Sequence, residues 1–273
     1  MMARGWRSAP AVLHMGRRST AALVLASVAG LVMFLWPLFT SPGHEIAHVH
    51  DAPILFAVIL PALIGILLAE MTDGGIDSKA LAMLGVLSAM GAALRPLGAG
   101  TAGIELVFFL LVLAGRVYGA GFGFVLGATT LFVSSLITGG VGPWLPFQML
   151  AAGWVGLGAG LLPSARGRAE IAWLATYGAI SAYLYGFLTD MWFWPFTVGN
   201  GTQVSFVPGA SVASNLRRFV AATVATSTFG WDTGRAITNV VAIIVVGPAV
   251  LVTLRRAVRR AAFDAPVVFE PSS

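Results

Sequence analysis

The chain has 273 residues, 58% of them hydrophobic and only 10% charged, with a formal charge of +5 and no cysteine. A soluble globular chain carries roughly a quarter charged residues, so this deficit, with a mean hydropathy of +0.87, puts the chain in the integral membrane class. Disulfides, thiolate metal sites and cysteine nucleophiles are excluded, and roughly seven to nine spans of about 20 residues each leave no room for a soluble ATPase, kinase or nuclease domain.

Residues 1–19 form a basic N-terminus, and "GRRSTAAL" resembles a twin-arginine signal. The apolar run behind it is too long for a signal h-region and no small-x-small cleavage site follows, so it reads as a retained anchor. The first span is expected at about 20–40. A short loop, "HEIAHVHD" at 44–51, precedes a second span at about 53–71, and 20–78 together form an additional N-terminal helix pair. The third span, about 79–95, stops at Arg95-Pro96, because proline cannot continue the ladder and restricts the residue before it. The fourth to eighth spans follow at about 103–117, 119–138, 143–163, 170–190 and 236–254, with turn signals such as TGGVGP and PSARGR between them. The fold class is therefore an all-α polytopic membrane protein of about eight transmembrane helices.

The 191–235 stretch is the one long connection. A span at 209–229 would carry Arg217 and Arg218 near its middle, which is costly. The stretch reads instead as an extracytoplasmic, partly helical cap, with Trp192 and Trp194 in an interfacial belt. With the N-terminus inside, 12 of the 16 Lys and Arg residues are cytoplasmic, and Arg95, Arg217, Arg218 and Arg235 are outside. This bias predicts a multi-pass plasma-membrane protein with both termini cytoplasmic, 256–273 forming a C-terminal tail. The basic ends then need no nucleic acid; they are anchors that favour anionic membrane lipid.

HExxH in the 44–51 loop (His44, Glu45, His48) is the zinc signature of a protease helix. Here it lies in a short loop flanked by prolines, so no metal or cofactor is expected. Small residues recur every four positions at Gly115, Gly119, Gly123 and Gly127, at Ala152, Gly156 and Gly160, and at Gly85, Ala89 and Ala93. Such stripes let helix backbones approach closely in lipid; most pack the bundle, and one left free would dock a partner. Ionisable groups near the membrane, Arg95, Glu105, Asp190, Asp232 and Arg235, gather on the outer side and are functional candidates. Pro143 and Pro146 make a rigid start to the sixth span, where Trp144 and Gln148 provide a flat apolar wall and an uncharged donor–acceptor pair.

The run "LGVLSAMGAALRPLGAGTAGIELVFFLLVLAGRVYGAGFGFVLGATTLFVSSLITGGVGPWLPFQMLAAGWVGLGAGLLP", with "FGWDTGRAITNVVAIIVVGPAVL", resembles the substrate-binding (S) components of energy-coupling-factor (ECF) transporters, of the actinobacterial branch. The resemblance covers 79 to about 260. It implies a six-helix core at 79–255 that binds a vitamin, precursor or related micronutrient, cobalamin or its precursors among them. It also implies docking on a transmembrane coupling (T) subunit that carries two ABC ATPases. The family's docking stripe would match Gly85, Ala89 and Ala93, with glycine in place of one alanine. No Walker A sequence occurs, so ATP hydrolysis would belong to partners and the chain would not be an enzyme. Substrate-lining residues would be Trp144, Gln148, Asp190, Trp192, Asp232 and Arg235, with Arg95, Glu105 and Asn239 near them. A stand-alone secondary carrier and a membrane metalloprotease using His44, Glu45 and His48 are the alternatives.

Overall fold

A computed structural model describes residues 15–39, 61–62, 64–65, 69, 77–98, 101, 103–197 and 201–261. Helix makes up 84% of these residues, and none of them is in a strand. Among the described residues four helices are long and apolar enough to cross a membrane, or five if one bent pair counts as a single span. The HEIAHVHD loop and, apart from five helical residues, the span expected at 53–71 lie outside the described residues.

Among the described residues the α-helices with full bounds are, in order, α1 (Arg17–Phe34), α2 (Ser78–Leu94), α3 (Val107–Tyr118), α4 (Ala120–Thr138), α5 (Leu145–Leu161), α6 (Gly167–Thr197), α7 (Val212–Thr223), α8 (Thr233–Val245) and α9 (Gly247–Ala261). A π-helical run, Val224–Asp232, joins α7 to α8 without a break. α1 ends before Pro37, whose fixed φ and missing N–H permit only a short 3-10 turn, Trp36–Leu38. Asp77 starts α2 by accepting the Lys79 amide hydrogen bond at 3.1 Å.

α3 is the axis of the bundle. It touches α2, α4, α5, α6, α8 and α9, and every one of its residues except Arg116 is buried. A helix apolar all round belongs in a core. Its 12 residues span about 18 Å, short of the roughly 30 Å of a bilayer core. Before it, Arg95–Gly98 makes a 3-10 turn, and Glu105 reaches Arg235 inside the bundle.

α4 and α5 pack backbone to backbone. A Cβ on Gly156 would stand 2.1 Å from the Gly123 carbonyl oxygen, and one on Gly127 would stand 2.2 Å from that of Ala152. Gly115 meets the same Gly156 carbonyl from α3. Two of the three small-residue stripes thus close on each other. In lipid, where tails are as apolar as the side chains, this close approach replaces a hydrophobic drive. The third stripe behaves differently. Gly85, Ala89 and Ala93 are exposed on α2, and nothing lies within 4 Å of a Cβ built on Gly85. α1 is peripheral, held by the Trp154 indole donating to Ser27 Oγ at 2.9 Å and by Phe34 against Phe147.

Two sequence expectations are corrected. The 191–235 stretch is not a separate cap: 191–197 continues α6, and Val212–Val245 is one helical run. That run measures about 50 Å, well over the roughly 30 Å core, so Arg217 and Arg218 near its start need not enter lipid. The span expected at 236–254 breaks at Val246, where the chain bends by 67° into α9. Proline at 248 follows the break, and α9 changes character to amphipathic, with Leu251, Leu254 and Val258 buried and Arg256, Arg259 and Arg260 exposed. Helix therefore continues into the stretch expected as a tail, as far as Ala261.

At this basic end Glu170 binds two arginines on one oxygen, Arg116 at 2.9 Å and Arg255 at 2.6 Å, joining α3, α6 and α9. Removing one partner of a buried ion pair costs about 3–5 kcal/mol because the other charge is left uncompensated. Glu170→Ala is expected to lower the apparent melting midpoint of the detergent-purified chain by on the order of 10 °C. A midpoint equal to wild type would show that the two arginines find other partners.

Candidate functional site

At the opposite end of the bundle, four segments converge: the turn 95–106, the upper part of α6, the π-helical run and the start of α8. Two glycines permit the approach. Gly103 has φ +78°, and a Cβ there would stand 2.0 Å from the Trp231 carbonyl oxygen; a Cβ on Gly186 would stand 1.8 Å from Asp232 Oδ1. Below them, Gly178 faces Asn239 and Ile243 of α8.

Arg235 is the centre of what these segments bring together. Its Nε donates to Glu105 Oε2 at 2.6 Å and its Nη1 to Asp232 Oδ1 at 2.9 Å. Nη1 also reaches the Ala182 carbonyl at 3.4 Å. The guanidinium carbon lies 5.0 Å from the Tyr185 ring centre and 5.5 Å from that of Phe108. Arg235 is only 7% exposed and Asp232 only 2%, so the charges are held by one another and by rings, not by solvent.

The π-helical run extends this cluster. In a helix bonded i to i+5, residues five apart stack on one side. Ser227 Oγ accordingly donates to Asp232 Oδ2 at 3.3 Å, and the Thr233 hydroxyl to the Thr228 carbonyl at 2.6 Å. An α-helix would set those pairs about 140° apart. One α-helical turn before Ser227, the Thr223 hydroxyl donates to Asp190 Oδ2, so Asp190 joins the group through hydroxyls, within electrostatic range of Asp232 and Arg235.

Arg95 and Gln148 meet each other, Nη2 donating to Oε1 at 3.1 Å. Tyr185 links them to the cluster, being in electrostatic range of Arg95, Glu105 and Arg235. Among the described residues Arg95 has no carboxylate partner. Around Arg235 there are three carboxylates, Glu105, Asp190 and Asp232, for one guanidinium.

The remaining expected residues are placed elsewhere. Trp192 is buried, its ring tilted against that of Phe147 at 4.4 Å between ring centres, and its carbonyl accepts the Trp36 indole at 3.3 Å. Its own indole N–H has no acceptor among the described residues. Asn239 is fully buried one turn below Arg235; its amide donates to the Gly178 carbonyl at 3.4 Å while Oδ1 is unpaired among the described residues. Trp144 stands apart. It is 39% exposed and its N–H donates back to the Gly140 carbonyl at 3.1 Å, so its ring folds over its own glycine-rich turn instead of facing the cluster.

Sequence reading did not single out Tyr185, Phe108, Thr223 or Ser227. The Gly178, Ala182 and Gly186 spacing is the signal that marks the α6 face meeting Asp232 and Arg235. No comparable pattern marks Tyr185. No group of three metal-ligating side chains able to hold an ion occurs among the described residues, and His44, Glu45 and His48 lie outside them.

Carboxylates, guanidinium groups and hydroxyls set among aromatic rings can hold a polar solute by matching its heteroatoms. No protein-family model, curated protein or solved structure matches the chain.

Proposed function

We propose that the chain is the substrate-binding membrane component of an importer of the ECF type. It would take a small vitamin-like solute at the Arg235 end and hand it on with the help of a coupling subunit and two separate ATPases. Eight passes, with both termini cytoplasmic, are the reading that the apolar runs of the sequence and the Lys and Arg bias support. In that orientation Glu105, Asp190, Asp232 and Arg235 face the outside and the Glu170 network lies on the cytoplasmic side. The observation that carries the reading is the Glu105–Arg235–Asp232 cluster with Asp190 beside it. Ionisable groups inside a helix bundle are expensive and mark solute paths by default, and α6 and α8 could pack without them on the Gly178 and Ala182 side alone. The cluster is rich in carboxylate, which favours a solute bearing a cationic or hydrogen-donating group. The free stripe Gly85, Ala89 and Ala93 on α2 supports a coupling subunit as its neighbour.

Native mass spectrometry on tagged protein, gently extracted from its own membrane, tests this. Assembly with one coupling subunit and two ATPases is expected, with a retained small molecule. A lone chain that moves solute in sealed vesicles without ATP would overturn it in favour of a secondary carrier. Within the site, Gln148→Ala is expected to weaken solute binding by roughly ten- to a hundredfold, as one hydrogen bond to a charged group is worth about 1.5–3 kcal/mol, with the melting midpoint kept. Unchanged affinity would remove Gln148 from the lining.

A further inference from the structure

We propose that the outward face of α9, together with the loop before α6, is a binding surface for anionic phospholipid headgroups. α9 leaves the preceding helix at 67°; where the preceding helix crosses the membrane, such a bend turns α9 toward the plane of the headgroups. Its inner face is already used: Gly247, Leu251, Leu254 and Val258 are buried in the bundle. Its outer face is graded along the helix. Pro248, Ala249 and Val252 are exposed in the first half, and Arg256, Arg259 and Arg260 are exposed in the second. That order, apolar then basic, matches the passage from acyl chains to phosphates, where long basic side chains reach for the headgroups.

The basic half is held in place before any lipid arrives. Arg255 is tied to Glu170, and Lys79 Nζ donates to the Ala261 carbonyl at 2.7 Å, fixing the last turn of α9 to the start of α2. Arg166 and Arg168, just before Glu170 in the chain, are exposed at the same end. Among the described residues none of Arg166, Arg168, Arg256, Arg259 and Arg260 has a carboxylate partner. Glu170 itself is outnumbered by its two arginines, so the buried network adds a further positive charge. Five unpaired guanidiniums on a fixed frame suit the phosphate diesters of neighbouring headgroups, each of which can accept a paired hydrogen bond from a guanidinium. The surface is separate from the Arg235 cluster, whatever solute that cluster takes.

The test uses the full chain, delipidated in detergent and titrated with phosphatidylglycerol or with phosphatidylcholine of the same acyl chains, with bound lipid read by native mass spectrometry. Phosphatidylglycerol is expected to be retained about tenfold better, given the attraction of several basic residues for an anionic headgroup. The Arg256→Gln, Arg259→Gln, Arg260→Gln triple variant is expected to lose that preference, and a triple lysine variant to keep most of it. These side chains are exposed, so an unchanged melting midpoint serves as the folding control. Equal retention of the two lipids, or a glutamine variant that behaves as wild type, would overturn the proposal. Displacement of the lipid by millimolar inorganic phosphate would assign the arginines to a free anion instead. Loss of a co-purifying protein from the glutamine variant, with lipid preference intact, would assign them to a protein partner. Either result ends the lipid reading.

Discussion

Arg235→Met is expected to lower stability by about 3–5 kcal/mol, because it leaves Glu105 and Asp232 facing each other with no cation between them. Methionine fills much the same volume, so the loss is electrostatic and not a cavity effect. Rescue separates the two. Adding Glu105→Gln and Asp232→Asn to Arg235→Met removes both orphaned charges and should recover more than half of the lost melting midpoint, since buried ion networks replaced whole by neutral groups are often neutral in cost. Solute binding should stay lost in the triple variant. If the single variant melts with wild type, the cluster is open to water and is not a buried network. If the triple variant binds solute normally, the proposed site is wrong.

The second large effect concerns the small-residue stripes and sets two glycines against each other. Gly156→Val should cost on the order of 3 kcal/mol or more, since its Cβ would fall 2.1 Å from the Gly123 carbonyl oxygen and backbone cannot yield as a side chain can. Separation of α4 from α5 would also disturb Gly115 on the axial helix α3. Gly85→Val has the opposite expectation: nothing lies within 4 Å of its Cβ, so folded yield and melting midpoint should match wild type. If the exposed stripe docks a coupling subunit, Gly85→Val should reduce recovery of the assembly severalfold while leaving the isolated chain intact. Equal recovery of the assembly from both proteins would take the stripe out of the interface.

The helices α2 to α5 were legible because long apolar runs there are bounded by Asp77, Pro96, Gly119, Gly139 and Pro143, each with a local reason to start or stop a helix. The packing of Gly123 on Gly156 was legible as a spacing, though which stripes would meet was not. Three features escaped for physical reasons. The reach of Glu105 to Arg235 inside the bundle is a tertiary contact with no local pattern. Arg217 and Arg218 argue against a span at 209–229, which holds for a helix of ordinary span length; a run of about 50 Å is longer than the apolar layer, so charges near its start can lie outside it. Trp144 looked like a wall of the site, but its N–H is satisfied four residues back in its own turn, a contact that composition does not reveal. For the candidate site, sequence grouped Glu105, Asp190, Asp232 and Arg235 on one side without fixing which touch. It took the glycines at 103 and 186 to bring the segments together.

The π-helical run Val224–Asp232 carries a genetic corollary. Wider turns accommodate more residues over the same rise, so the run behaves as a helix with a surplus codon. An in-frame deletion of Gly230 would let it tighten into ordinary α-helix, with its hydrogen bonds still made and its length nearly kept. Ser227 and Asp232 would then stand four residues apart, and residues four apart share a face of an α-helix. The surplus residue can therefore be lost with the two ends of the run still facing the same way. A deletion within α7 has no surplus to draw on, and everything before it would be rotated by about 100° against α8.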